Sequence, residues 1–196
     1  MNLPNKLTIL RILLTFVFMV FLYTQGVAAK VLALVTFLTA ALTDALDGYL
    51  AKKNNQITDF GRLMDPIADK ILVLAALLAF VERGVVPAWM VVIIIFREIA
   101  VTGLRLLALS KGKVIPADGG GKHKTIWQLF TITIILIFFI LKAGGAAQFK
   151  FWSPELEVLY KNFIFVIMLV VVTFTLTSGI AYLVKNREVY SNEKAD

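Results

Sequence analysis

Thr43-Asp44-Ala45-Leu46-Asp47-Gly48-Tyr49-Leu50-Ala51-Lys52-Lys53 closes an apolar run that begins at Val27. Gly61-Arg62-Leu63-Met64-Asp65-Pro66-Ile67-Ala68-Asp69 then opens the next, which reaches Val81. Each run is long enough to cross a hydrocarbon core about 30 Å thick, which takes roughly 20 apolar residues. Lipid leaves no partner for a loose backbone group, so helix is the state such runs adopt. Working outward gives six spans: Leu7–Tyr23, Val27–Leu50, Leu63–Val81, Val86–Leu109, Thr125–Leu141 and Phe163–Val184. The expected fold is an all-α integral membrane bundle of six transmembrane helices, a single domain over residues 1–196.

Composition agrees. Hydrophobic residues make up 59% of the chain, against about 45–50% in soluble domains. Disorder, collagen and a disulfide scaffold are excluded. The absence of cysteine excludes thiolate metal sites, and a single histidine, His123, leaves little room for a histidine metal cage or a histidine-centred triad. The formal charge of +7 reads as membrane topology and attraction to anionic lipids and substrates, with no nucleic-acid partner. Lysine and arginine concentrate at Lys6, Arg11, Lys52, Lys53, Arg62, Lys111, Lys113, Lys122, Lys124, Lys185, Arg187 and Lys194. An even number of spans then puts both termini on that basic, cytoplasmic side. Met1-Asn2-Leu3 leads straight into helix one, with no signal-peptide pattern. Trp89 and Trp152 fit an aromatic belt at the far interface, and Ser110–Lys124 and Lys142–Lys161 read as loops.

The acids stand where lipid should be. An ionised carboxylate within a span costs several kcal/mol unless it is paired, hydrated or bound to metal. Asp44, Asp47, Gly48 and Ala51 recur at helical spacing, as do Gly61, Asp65 and Asp69. The short connection Lys52–Phe60 makes their helices antiparallel neighbours, with four carboxylates converging at the cytoplasmic end. Oxygen ligands without histidine or cysteine favour Mg²⁺, Mn²⁺ or Ca²⁺. Four of them suit two divalent cations, the arrangement used in displacement at phosphorus. Gly48, Ala51 and Gly61 either leave room for a ligand close to the helix or let helices pack closely.

The spacing Asp44-x2-Asp47-Gly48-x2-Ala51-Lys52-x8-Gly61-x3-Asp65-x3-Asp69 resembles the signature of the CDP-alcohol phosphatidyltransferases. Where that family usually has arginine this chain has Lys52, which keeps the charge but loses the bidentate fork. The resemblance implies transfer of a phosphatidyl group from CDP-diacylglycerol to a small alcohol, with release of CMP. It implies that Asp44, Asp47, Asp65 and Asp69 hold two divalent cations, Mg²⁺ or Mn²⁺, and that Asp69 is also the general base. Gly48, Ala51, Lys52, Thr58 and Gly61 would line the site of CDP-diacylglycerol. Thr58, with Asp59, has a rival reading as an N-cap. Asn5 and Thr8, in Pro4-Asn5-Lys6-Leu7-Thr8, would bind the donor or cap helix one. The resemblance also implies a homodimer among membrane lipids.

A basic cluster follows. Arg97 and Arg105 are eight residues apart, about 80° of helical rotation, and Lys124 starts helix five. An intramembrane arginine is costly unless it meets an anion. Glu98 is adjacent but projects about 100° away, so it reads as an imperfect partner. Arg97, Arg105 and Lys124 are expected to bind the phosphate of a phosphorylated acceptor. Lys111, Lys113 and Lys122 read as positive-inside charge, and His123 as a loop residue. This run resembles the bacterial branch of the family whose acceptor is glycerol 3-phosphate and whose product is phosphatidylglycerol phosphate. Inositol phosphate and serine are the rival acceptors. An ion transporter could also use intramembrane carboxylates, but no internal repeat supports it.

Overall fold

The computed structural model describes residues 3–54, 59–113, 115, 119–145 and 152–191; the side chains of 3–5, 44–54, 59–67, 69 and 119–123 fall outside that description. Six helices follow one another: α1 (Leu3–Tyr23), α2 (Val27–Asn54), α3 (Asp59–Glu82), α4 (Ala88–Ser110), α5 (Gly119–Gly144) and α6 (Pro154–Lys185). A 3₁₀ turn, Arg187–Val189, ends the described chain. No strand occurs among the described residues. The shortest helix has 21 residues, about 32 Å at 1.5 Å per residue, enough to cross a bilayer core.

Lys6–Tyr23 of α1, Lys124–Gly144 of α5 and all of α6 are long and apolar enough to span. Among the described residues of α2, Val27–Thr43 is also apolar. No stretch of spanning length in α4 avoids Arg97, Glu98 and Arg105. Large apolar side chains such as Phe16, Phe96, Ile126 and Leu159 stand exposed. On a soluble protein that much exposed apolar surface would be an aggregation liability. The protein is an all-helical membrane bundle.

Helix ends obey local rules. At the end of α3, Gly84 N–H donates to the Val81 carbonyl and Val85 N–H to that of Phe80. At the end of α4, Gly112 and Lys113 do the same to Leu109 and Ala108. Both are Schellman closures, and each needs a left-handed residue that only glycine adopts cheaply. Gly84 has φ +66° and Gly112 φ +70°.

Four helices start earlier than apolarity alone suggests: α1 at Leu3 rather than Leu7, α3 at Asp59 rather than Leu63, α5 at Gly119 rather than Thr125, and α6 at Pro154 rather than Phe163. For α6 the cause is a cap. Ser153 Oγ accepts the Leu156 N–H at 3.2 Å. Pro154 stands at the first helical position, and Glu155 and Glu157 complement the helix dipole. Much of the expected loop Lys142–Lys161 is therefore helix.

Packing divides the chain into two compact units, residues 1–79 with 132–160, and residues 80–131 with 161–196. In the first, α1 packs on α2, with the Phe18 and Phe37 rings 5.7 Å apart. Trp152 stacks on Tyr160 at 5.6 Å, and Phe138 lies 5.4 Å from Tyr160. Lys142 pairs with Glu157 at 2.8 Å. In the second unit, Val101, Leu104 and Ala108 of α4 form a core with Tyr182 and Val189. There Trp127 of α5 also stacks on Phe174 of α6 at 6.1 Å.

One buried cation has a structural task. Lys30, only 7% exposed, donates to the carbonyls of Leu22 at 2.5 Å and Thr24 at 2.7 Å. These acceptors sit at the C-terminal end of α1, where carbonyls lack helical partners. Lys30→Met should strand them and cost about 1–3 kcal/mol. A lowered thermal midpoint in detergent, with KM values unchanged in the surviving protein, is the expected result.

Candidate active site

Two groups of charged side chains matter, one in each unit. Positions 44 and 47 are one turn apart on α2, and positions 65 and 69 one turn apart on α3. The side chains of Asp44, Asp47, Asp65 and Asp69 are outside the described residues, as are those of Asn5, Gly48, Ala51, Lys52 and Gly61. Thr58 lies outside them altogether. Among the described residues no three His, Asp or Glu side chains gather as metal ligands. The four aspartates would offer a metal only carboxylate oxygens. Carboxylate oxygens alone fit hard divalent cations.

Backbone geometry bears on two residues here. Pro66 is the eighth residue of α3 and sits in the helix interior. Its missing N–H leaves the carbonyl of residue 62 without that helical bond. Helix α1 already starts at Leu3, which makes Thr8 its sixth residue. Thr8 therefore does not cap the helix. It is fully buried, as is nearly all of Arg11 one turn on.

The basic cluster is described in atomic detail. Arg97 Nη1 donates to Glu98 Oε1 at 3.1 Å, and the same oxygen accepts Lys124 Nζ from α5. Glu98 is thus a full partner, contrary to the expectation from its helical angle. Adjacent residues project about 100° apart, but the long arms of arginine and glutamate curl toward each other. Isolation in an apolar setting gives them reason to do so, since an unpaired charge there is costly. Lys124 is 3% exposed. Arg97 also approaches Ser178 Oγ at 3.4 Å through Nη2, and its buried Nε makes no hydrogen bond among the described residues.

Arg105, two turns further along α4, is exposed. Its Nε donates to the Tyr182 hydroxyl at 3.1 Å, and its guanidinium carbon lies 5.4 Å from the Tyr182 ring centroid. Neither Nη of Arg105 has a hydrogen bond among the described residues. Those are the two nitrogens that fork onto a phosphate. The structure therefore gathers Arg97 and Lys124 about one carboxylate, with Arg105 on the same helix as Arg97. His123, expected in a loop, has its backbone in the first turns of α5; its side chain is outside the described residues.

Comparison with known proteins bears on both groups. The family model for CDP-alcohol phosphatidyltransferase matches residues 1–183. The chain belongs to that family. Several members bear the name CDP-diacylglycerol–glycerol-3-phosphate 3-phosphatidyltransferase. The Bacillus subtilis one is 38% identical over 202 residues, covering 95% of this chain and 96% of its own. The Mycoplasma pneumoniae one is 34% identical, covering 78% and 77%. The Rickettsia bellii one is 39% identical over 137 residues, covering 69% and 75%.

For a member of this family, the residues that sequence reading missed are Glu98 as the common partner and Ser178, Gly179 and Tyr182 on α6. Glu98 carried a usable signal, since an acid between two intramembrane arginines must be paired. The α6 residues carried none. A serine, a glycine and a tyrosine in an apolar helix look like ordinary packing.

Proposed function

We propose that this protein transfers the phosphatidyl group of CDP-diacylglycerol to glycerol 3-phosphate, giving phosphatidylglycerol phosphate and CMP. The observation that carries the acceptor is the basic group in which Arg97 and Lys124 share the Glu98 carboxylate and Arg105, two turns along α4, is held by Tyr182. The names of the relatives support the same choice. Three cations and one carboxylate leave two net positive charges, a match for a phosphate monoester of about −1.5 to −2 at pH 7.

Asp44, Asp47, Asp65 and Asp69 would hold two divalent cations, Mg²⁺ or Mn²⁺. Such ions, when bound, neutralise the diphosphate and stabilise charge on the departing nucleotide. Asn5, Thr8, Gly48, Ala51, Lys52, Thr58 and Gly61 bind CDP-diacylglycerol. The buried Thr8 does so from within α1, and Lys52 meets the diphosphate as a point charge. Asp69 takes the proton of the acceptor hydroxyl as its oxygen bonds to the phosphatidyl phosphorus. The bond from that phosphorus to the CMP oxygen breaks in the same displacement. No enzyme-bound acyl or phosphoryl group is needed.

The reading extends to setting. The protein is a single catalytic domain in the bacterial cytoplasmic membrane, functioning as a homodimer. Both termini face the cytoplasm, on the side where lysine and arginine concentrate. The donor's acyl chains then stay in lipid while the soluble acceptor arrives from the cytosol.

Purified protein in detergent, given CDP-diacylglycerol and Mg²⁺ or Mn²⁺, should release CMP with glycerol 3-phosphate and not with inositol phosphate or serine. EDTA should abolish release, and excess divalent ion should restore it. Release with serine alone would overturn the phosphate-binding assignment. Release that survives EDTA would overturn the metal assignment.

A further inference from the structure

We propose that one turn of helix α6, Ser178 to Tyr182, positions the two arginines of the acceptor site: Gly179 leaves the space that Arg97 occupies, and Tyr182 orients Arg105. The proposal rests on the reading above, in which both arginines bind the acceptor phosphate. All of these residues belong to one compact unit.

Gly179 is buried on α6. A Cβ built there would lie 2.8 Å from Arg97 Cγ and 3.7 Å from its Nε. The near atom is in the stem of Arg97, close to its backbone, so it has little freedom to move aside. Any residue larger than glycine must therefore turn Arg97 out of its present course. That course takes its Nη1 to Glu98 at 3.1 Å and its Nη2 toward Ser178 at 3.4 Å. Helix stability does not ask for glycine at 179, because glycine in a helix interior is less stable than alanine. The close approach of the arginine accounts for it instead.

Tyr182 stands three residues on, nearly one turn, and is 2% exposed. Its hydroxyl accepts Arg105 Nε at 3.1 Å, while its ring lies under the guanidinium at 5.4 Å. Holding the guanidinium by Nε fixes its plane and leaves both Nη donors for a ligand. A planar donor held in advance loses less freedom on binding a phosphate. Gly179 and Tyr182 are positioning residues, acting through Arg97 and Arg105.

The test is a pair of double-mutant cycles read as KM for each substrate. Gly179→Ala should raise KM for glycerol 3-phosphate about 10-fold and leave KM for CDP-diacylglycerol within about 2-fold. Tyr182→Phe, which keeps the ring and removes the hydroxyl, should raise the acceptor KM about 3- to 20-fold. In an Arg97→Ala background no Cγ remains to collide, so adding Gly179→Ala should change nothing more. Adding Tyr182→Phe to Arg105→Ala should likewise have no further effect. Thermal midpoints near wild type identify folded variants. Full additivity in both cycles, or normal acceptor KM in folded Gly179→Ala and Tyr182→Phe, would overturn the positioning role while the arginine variants remain impaired. If Arg97→Ala and Arg105→Ala themselves leave the acceptor KM unchanged, the acceptor-site reading is what fails.

Discussion

Asp69→Asn should lower kcat by at least about 10²–10⁴-fold, the contribution of a positioned general base, while CDP-diacylglycerol still binds. Asparagine has the shape of aspartate and keeps one oxygen that can face a cation, but it cannot take a proton. The acceptor hydroxyl would then attack with its proton in place. Position 69 lies one turn beyond position 65 on α3, so the substitution leaves the helix register untouched. Single-turnover CMP release would report chemistry, and equilibrium binding of CDP-diacylglycerol in detergent would report the donor site. Near-normal turnover would remove Asp69 as the base. Loss of donor binding equal to the loss of rate would make it a cation ligand and nothing more.

Much of this protein is readable from the chain, for physical reasons. Lipid requires apolar helices of fixed minimum length, so the six spans stand out; five fall within the observed helices and the fourth begins two residues before α4. The same requirement makes every intramembrane charge conspicuous, which is how the four aspartates, Arg97 and Arg105 come to notice. Boundaries set by polar chemistry are harder. The Ser153 cap and the acidic first turn extend α6 nine residues before its apolar stretch, and no hydropathy pattern marks that. Partner choice among charges is harder still. Glu98 looked misdirected because a helical angle describes where a side chain leaves the backbone, not where a long one ends. The α6 wall was invisible because glycine at 179 has meaning only against the arginine that crosses it.

Arg105→Ala should raise KM for glycerol 3-phosphate by about 10- to 100-fold, the range of a hydrogen bond to a charged group, with KM for CDP-diacylglycerol nearly unchanged. The reason lies in how the cluster divides its donors. Arg97 and Lys124 already share Glu98, so an incoming phosphate must compete with a carboxylate for them. Arg105 is spared that competition. It is exposed, hydrogen-bonded through Nε, and keeps both Nη groups without a hydrogen bond among the described residues. Arg105 is therefore the cation with most to give a ligand and least to lose. Arg105→Lys should recover only part of the affinity, because a point charge cannot reproduce the fork. High salt should weaken acceptor binding in wild type more than in Arg105→Ala, since an exposed charge is the one that screening reaches. Equal rises in both KM values would exclude Arg105 from acceptor recognition. Glu98 would then stand as the counter-ion of a purely structural cation pair.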